Sequence, residues 1–354
     1  MTHISPSQHG AQADYDPWQL AEHLLGRPPL ALQPVGESGW NNHLFKVKTE
    51  EGLLALKRYP VNDLRGRMAR EAAALWFLAA HPPSPSPRLL SMDPTANGML
   101  LTWVEGEPIS QSSADIATID AMLACMAQLH QLRHSSTATN LVAASDAVFN
   151  VEGARRQIRQ RMRRLDDARQ QHPRLDDFLR RLQSLADELL PRAQEQWSCE
   201  DPLPSALRTL SFSDFGFHNA IRQPDGRIVF VDLEYFGWDD PVKLASDTLW
   251  HPAMALRGEL RRHFCEHAVK LYEESGDHNI RKRFATMHPL YGLIWCLIVL
   301  NPFIASAQQA PALVGQANAQ RLEAQLAMAH RYADTLKTGC HLTYHPAIPP
   351  EQES

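Results

Sequence analysis

Ser213-Asp214-Phe215-Gly216-Phe217-His218-Asn219, followed by Val231-Asp232-Leu233-Glu234, is the stretch on which the reading of this chain turns. An Asp, an Asn five residues on, and a second Asp at the end of an apolar segment supply hard oxygen ligands at close spacing. Mg²⁺ prefers a few carboxylate or amide oxygens plus phosphate oxygens over a closed protein cage. Phosphoryl transfer also needs a carboxylate that holds the acceptor hydroxyl in line and receives its proton. On this reading Asp214 orients the nucleophile, while Asn219 and Asp232 carry the metal. Ser211 to His218 has no helical period and reads as a loop. Arg227 to Asp232 reads as a buried strand ending on its Asp, with Gln223-Pro224-Asp225-Gly226 as the turn that brings the two motifs together. The bland alternative makes Asp214 and Asp232 turn and capping residues.

Working outward, Lys57 alternates into an apolar strand, Leu53 to Tyr59, where an unpaired ammonium would be costly. Glu71, on the following amphipathic helix, is its candidate partner, and a nucleotide phosphate is the other. Gly36 and Gly39, in Val35-Gly36-Glu37-Ser38-Gly39-Trp40-Asn41-Asn42, permit a turn whose amides approach phosphates closely. An ordinary hairpin turn is the competing reading, since the segment is neither a Walker sequence nor GxGxxG. Thr102-Trp103-Val104 closes the last strand of this region and is placed to offer backbone groups to an adenine edge.

Composition bounds the rest. The chain has 354 residues, enough for two lobes, with 44% hydrophobic and 21% charged residues. A net charge of −5 gives no global reason to expect nucleic acid. The five cysteines form no CxxC pair, which fits a reducing compartment and a cytoplasmic enzyme. The 17 histidines include no HExxH, and no Gly-x-Ser-x-Gly elbow is present. His130 reads as a packed core residue. The apolar run Leu290 to Ala305 falls short of the roughly 20 residues of a membrane helix and is interrupted by Asn301-Pro302, so it reads as a core helix. No membrane partner is expected.

Periodicity predicts a short helix over 18–25 and strands over 43–48 and 53–59. A capped helix over 64–80 follows, with Asn62 or Asp63 as the cap, then strands at 88–91 and 99–104. Helices are predicted at 113–132, 152–170, 174–196, 241–256, 258–274, 288–306 and 316–337. The Pro82–Pro87 run reads as an extended connector. The domain reading is a disordered N-terminus (1–14), a β-rich nucleotide-binding lobe (15–104), a helical catalytic and substrate-binding lobe (105–340) and a flexible tail (341–354). An arginine-rich stretch, Arg155 to Arg169, reads as a solvated basic face or as a receiver of an anionic substrate or partner.

These residues resemble the aminoglycoside phosphotransferase and choline kinase family over about residues 30–330. Gly39 to Val47 looks like its nucleotide loop, with Asn42 before an aromatic and a Val. The resemblance implies an α+β, bilobal protein-kinase-like fold, with a small antiparallel β-sheet N-lobe and a mostly helical C-lobe. It implies ATP (GTP is possible) and Mg²⁺ as cofactors. Lys57 then holds the α- and β-phosphates and pairs with Glu71, and Thr102 to Glu105 forms the hinge at adenine. Asp214 is similar to the catalytic Asp, Asn219 to the metal Asn, and Asp232 to the Asp bridging metal and phosphates. Trp238-Asp239-Asp240-Pro241 is similar to the supporting Gly-Asp-Pro segment.

There are departures. Phe212 stands where the family usually has His, Asp-Phe-Gly-Phe-His-Asn replaces Asp-Phe-His-Pro-Gly-Asn, and Lys243 replaces an Asp, with Asp247 one turn later. The implied activity is transfer of a γ-phosphate to a hydroxyl of a small polar metabolite: a sugar, amino sugar, aminoglycoside-like compound or amino alcohol. Glu234 and Asp239 would add negative potential suited to an amine. The alternatives are a nucleotide-binding pseudokinase and a protein kinase. The first would be expected to lose one of Lys57, Asp214, Asn219 or Asp232; the second lacks its activation segment, because Trp238-Asp239-Asp240-Pro241 follows Asp232 almost at once.

Overall fold

A computed structural model describes residues 15–36, 43–61, 63, 65–197, 201–256, 258–307 and 316–338. Its strands are β1 (Ala31–Pro34), β2 (His43–Thr49), β3 (Gly52–Arg58), β4 (Leu89–Asp93), β5 (Gly98–Thr102) and β6 (Glu107–Pro108). Short strands β7 (Thr209–Ser211), β8 (Ala220–Arg222), β9 (Ile228–Phe230) and β10 (Gly237–Asp239) follow. The helices are α1 (Pro17–Leu25), α2 (Arg67–Ala79), α3 (Ile116–Leu132), α4 (Val151–Arg163), α5 (Asp166–Gln171) and α6 (Pro173–Gln196). The remainder are α7 (Pro241–Trp250), α8 (Gly258–Glu274), α9 (Ile280–Ile298), α10 (Asn301–Ala307) and α11 (Gln316–Thr338). Packing separates two units: the described residues up to Glu107 with Ala220–Phe236, and Pro108–Asn219 with the described residues from Gly237 onward.

The first unit is built on an antiparallel sheet of order β1-β2-β3-β5-β4. The β2–β3 turn falls at Glu50-Glu51-Gly52, between the two predicted strands. Alternation on these strands sends Val47, Leu56 and Leu100 into a core shared with Leu20 of α1. α1 starts at a reciprocal cap: the Asp16 carboxylate accepts from the Gln19 amide, and the Gln19 side chain accepts from the Asp16 amide. α2 buries Met68, Glu71, Ala72, Leu75 and Leu78 at helical spacing. The Asp63 carboxylate does accept from the Arg67 amide, although Gly66 occupies the N-cap position. The β8–β9 hairpin turns at Gln223–Gly226 and belongs to this unit, so Asp232 lies with Lys57 and not with the helices.

The second unit is helical and organised around α9, which packs against α4, α6, α7, α8 and α11. Ile280–Ile304 is the one stretch among the described residues long and apolar enough to cross a membrane by length and composition. Its apolar window is 72% buried within the protein, as a core helix would be. α9 also buries Arg283, which explains its true start. Arg283 donates to both carboxylate oxygens of Asp240 and to Asp277, so its guanidinium is paired where hydropathy alone would exclude it.

Several boundaries differ from those read in the sequence. The 152–170 helix is two helices, broken at Arg164-Leu165. The 288–306 helix begins at Ile280 and breaks before Asn301, because Pro302 cannot donate to the preceding turn. The 241–256 helix ends at Trp250, and β5 ends at Thr102, so Trp103 and Val104 lie past the strand. β9 stops at Phe230, and Asp232 lies beyond it with φ 64°.

Candidate active site

β3 and α2 bring Lys57 and Glu71 together as their spacing suggested. Lys57 Nζ donates to Glu71 Oε2 at 2.6 Å and to Asp232 Oδ1 at 2.5 Å, and the lysine is 4% exposed. Glu71 is held at both oxygens: Tyr59 Oη donates to Oε2 at 2.5 Å and the Leu233 amide to Oε1 at 3.3 Å. Burial alone would lower the Lys57 pKa, but Glu71 and then Asp232 outweigh it, and the net shift is upward. Tyr59 is pushed well up by burial and by Glu71, so it stays a donor. Tyr59 went unremarked in the sequence, though it sits two residues after Lys57 on the same strand direction.

Glu71, Asp232 and Glu234 present carboxylate oxygens within 4.8 Å of one another. Against them stand Lys57 and, 3.7 Å from Glu234, Arg67. This leaves the cluster net negative. Burial first, and the Asp232 charge next, raise the Glu234 pKa. A group of hard oxygens with surplus negative charge fits a divalent cation. Asp232 itself has a positive φ, sparsely populated for non-glycine residues.

In the second unit, the loop after β7 carries Asp214 and Asn219. Ser213, at φ 64°, redirects the chain, and its hydroxyl donates to the Ser145 carbonyl at 3.3 Å. Asn219 Nδ2 donates to the Asp214 carbonyl at 3.0 Å and lies 3.4 Å from Asp214 Oδ2. That fixes the amide so that its oxygen is the atom left for a cation. Two imidazoles address Asp214 Oδ1: His218 Nε2 at 3.0 Å and His251 Nε2 at 3.6 Å. Their rings stack at 4.1 Å with 5° between planes. The Ala253 amide donates to His251 Nδ1 at 3.0 Å, so a neutral His251 carries its proton on Nε2, toward Asp214. Burial, then His218, lower the His251 pKa to about 4 against the opposing pull of Asp214. Burial would raise Asp214, but the His218 hydrogen bond, the charges of His218 and His251, and the Asn219 bond hold its carboxyl at about 2.

Phe212, at the usual His position, is buried and stacks on Phe215. Its role is packing, and the imidazoles come from elsewhere. His218 was visible within the motif itself, whereas His251 is delivered by the segment after α7 and has no sequence signal. Trp295 of α9 meets His251 edge-on at 4.9 Å and donates to Asp247 Oδ1 at 2.9 Å. Lys243 Nζ lies 2.5 Å from Asp247 and 3.4 Å from Asp239. Burial would lower the Lys243 pKa, but Asp239 and Asp247 outweigh it, so the ammonium stays charged.

The expectation that Glu234 and Asp239 offer negative potential to an amine is corrected. Both are 0% exposed, and Asp239 faces Lys243. His130 is a core residue as expected, 4% exposed and edge-on to Tyr272. Among the candidate nucleotide-loop residues, Gly36 has φ 71°, which glycine adopts freely; Gly39 and Asn42 lie outside the described residues. Thr102 is paired to Arg88 through its amide and hydroxyl, and Lys46 Nζ sits 4.6 Å over the Trp103 ring. Val104 is half-buried. None of Gly36, Thr102, Trp103 and Val104 contacts the Lys57 cluster by the hydrogen bonds and ion pairs described.

Residues 32–274 match the phosphotransferase enzyme family. The chain belongs to that family, and its class is that of a small-molecule phosphotransferase. Its fold is the α+β, protein-kinase-like one. Among solved structures, the complex of gentamicin with APH(2'')-IIa is similar at TM-score 0.58 and 15% identity, covering 88% of this chain and 97% of that one. Spectinomycin phosphotransferase APH(9)-Ia, in complex with ADP and spectinomycin, is similar at TM-score 0.57 and 10% identity, covering 90% and 97%. A choline/ethanolamine kinase family protein from Mesorhizobium loti is similar at TM-score 0.55 and 18% identity, covering 88% and 91%. No sequence relative was found among curated proteins.

Proposed function

We propose that this phosphotransferase moves the γ-phosphate of ATP to a hydroxyl of a small polar metabolite bearing an amine or several hydroxyls. The observation that carries the reading is the Lys57–Glu71–Asp232 set, in which Lys57 and Glu71 are buried and Asp232 is partly exposed. An ammonium held by two carboxylates is fixed in place and charged, as a phosphate ligand must be. Tyr59 and the Leu233 amide, by occupying Glu71, keep that carboxylate from drifting. Gly36, Gly39 and Asn42 are assigned to cover the phosphates, and Thr102 to Val104 to meet the base. GTP would satisfy the same groups.

Asp214 is assigned as the residue that orients the acceptor hydroxyl. Its carboxyl, held at about 2, is ionised throughout the neutral range. Such a weak base does not ionise an alcohol beforehand. It accepts the proton as the new O–P bond forms and the bond to the leaving nucleotide oxygen breaks. His218 and His251 grip Oδ1, and Oδ2, which Asn219 Nδ2 approaches at 3.4 Å, is assigned to the acceptor. Asn219 and Asp232 are assigned to Mg²⁺, both offering hard oxygen donors. When bound, the cation would neutralise charge on the transferring and leaving oxygens.

The acceptor class is proposed from the similar structures; Asp247, whose carboxylate is held by Lys243 and the Trp295 indole, is not counted toward it. Gentamicin and spectinomycin, named with two of the similar structures, are compounds of that kind. The test is turnover of wild type against Asp214→Ala with Mg²⁺-ATP and a panel of such acceptors. Asp214→Ala should be inactive yet bind nucleotide; retained turnover would remove Asp214 from the mechanism.

A further inference from the structure

We infer that the arginine-rich α4 forms, with α5 and α6, a second binding site, separate from Asp214, for a small organic phosphate. A cavity of about 450 Å³ lies between these helices, a volume ordinary for a small-ligand site. Arg155, Arg159 and Arg163 line it at i, i+4 and i+8 along α4, and Arg169 of α5 joins them. At 1.5 Å per residue the three guanidiniums on α4 are spaced about 6 Å apart along the helix axis. None of these residues contacts Asp214, His218 or His251, and nothing here depends on the catalytic assignment.

Some arginines elsewhere are paired, while others, Arg156 and Arg262 among them, have no hydrogen bond or ion pair among the described residues. Arg161 pairs with Asp146, Arg174 with Glu323, Arg181 with Asp334, Arg281 with Glu273 and Arg283 with Asp240. Within the cavity, Arg155 pairs with Glu152, and Arg169 with Asp176 and Asp166. Arg159 and Arg163 alone of the four have no hydrogen bond or ion pair among the described residues. Like charges one turn apart work against a helix, an effect that a bound anion reverses. The chain as a whole carries −5, so this pair is a local excess and not part of a basic protein.

The other surfaces of the cavity narrow the ligand. Ile158 and Met162 of α4 and Leu190 of α6 supply an apolar floor. Pro191, within α6, has no N–H to return to the Asp187 carbonyl, and both residues line the cavity. The Asp187 carbonyl therefore lacks its helical donor and is left as an acceptor for a ligand hydroxyl, and the Asp187 carboxylate, which accepts from Gln183 Nε2 at 2.7 Å, belongs to the same lining. Two unpaired guanidiniums match the oxygens of one phosphate dianion in forked geometry. Charge, floor and carbonyl together describe a phosphomonoester with a compact carbon body, in preference to inorganic phosphate.

The test is isothermal titration of the full chain with phenyl phosphate and with inorganic phosphate at low salt, on wild type, Arg159→Glu/Arg163→Glu and Arg159→Lys/Arg163→Lys. Both substitutions are on the exposed face of α4, and circular dichroism checks that each variant is folded. Wild type should bind phenyl phosphate at one site, more tightly than inorganic phosphate, with affinity falling as salt rises. The Glu variant should lose at least about tenfold in affinity, the scale of one charge-assisted hydrogen bond. The Lys variant, which keeps the charge but not the fork, should fall between. Absence of binding to wild type in the millimolar range, or equal affinity in the Glu variant, would overturn the site.

Discussion

At the residue scale, the site is governed by which charges are neutralised locally and which are left for a ligand. Lys57 illustrates the first case. Its ammonium is buried against Glu71 and Asp232, so removing it strands two carboxylates. Lys57→Met should abolish most turnover and also destabilise the chain by about 3–5 kcal/mol, read as a lowered denaturation midpoint. A variant as stable as wild type would mean the pair is not buried as described. Asp214 is the second case. Its folded pKa of about 2 lies below the ~3.9 of an unfolded Asp, so its stabilising effect is present above the unfolded value and lost as pH falls through the folded one. With 32% of the side chain exposed, screening reduces this to about 1 kcal/mol. The stability gap between wild type and Asp214→Asn should therefore narrow by about that amount between pH 6 and pH 2 in denaturant unfolding; a constant gap would show that Asp214 is not held ionised. His251, 3.6 Å from Asp214 Oδ1, is assigned to act through Asp214. His251→Ala should lower kcat by about 10-fold to 100-fold with little change in KM for nucleotide, and His251→Asn, which keeps an N–H donor, should recover part of the loss. A rise in KM alone would make His251 a binding residue instead.

At the element scale, legibility in the sequence followed locality. β2, β3 and α2 were readable because alternation and helical period are short-range signals, and Lys57 and Glu71 follow from them directly. The Asp214–Asn219 loop was readable because both candidate groups lie in one motif. His251, Trp295 and Tyr59 as a support for Glu71 were not, because each becomes relevant only through packing between elements. α9 shows the same limit. Its apolar half was legible, but its first turns were missed, because Arg283 is made compatible with burial by Asp240 and Asp277. Asp240 also caps α7 by accepting from the Val242 amide at 2.8 Å, so one carboxylate starts a helix and pairs with its neighbour. Arg283→Met should cost about 3–5 kcal/mol, whereas an exposed partner such as Arg192→Met should cost under about 1 kcal/mol. Thermal unfolding of the two variants distinguishes them. Close packing makes a further demand at Gly292 of α9: an added Cβ would lie 2.6 Å from the Trp250 ring and 2.7 Å from Leu336. Gly292→Ala should destabilise by about 1–3 kcal/mol, and a neutral effect would contradict this tight contact.

At the scale of the whole molecule, the residues assigned to the site are divided between two units that are not contiguous in sequence. Lys57, Glu71 and Asp232 belong to the first, which takes in Ala220–Phe236, while Asp214 and Asn219 belong to the second. A division of the chain near residue 104 is read from Gly106 and Pro108 and the helical periodicity after them; the assignment of the β8–β9 hairpin is not, because it depends on where that hairpin packs. The long apolar helix is a whole-molecule matter too. Since its apolar window is 72% buried, it should not draw the protein into bilayers, and alkaline carbonate extraction of expressing cells should leave the chain in the supernatant. Recovery only in the membrane pellet would reverse that reading. The central claim is that Asp214 directs phosphoryl transfer to a small hydroxylated acceptor. It is tested most directly by ³¹P NMR of the purified chain with Mg²⁺-ATP and pooled sugars, amino sugars and amino alcohols, with Asp214→Ala in parallel. A new phosphomonoester resonance from wild type and none from Asp214→Ala is the predicted result; the same resonance from both proteins would contradict it.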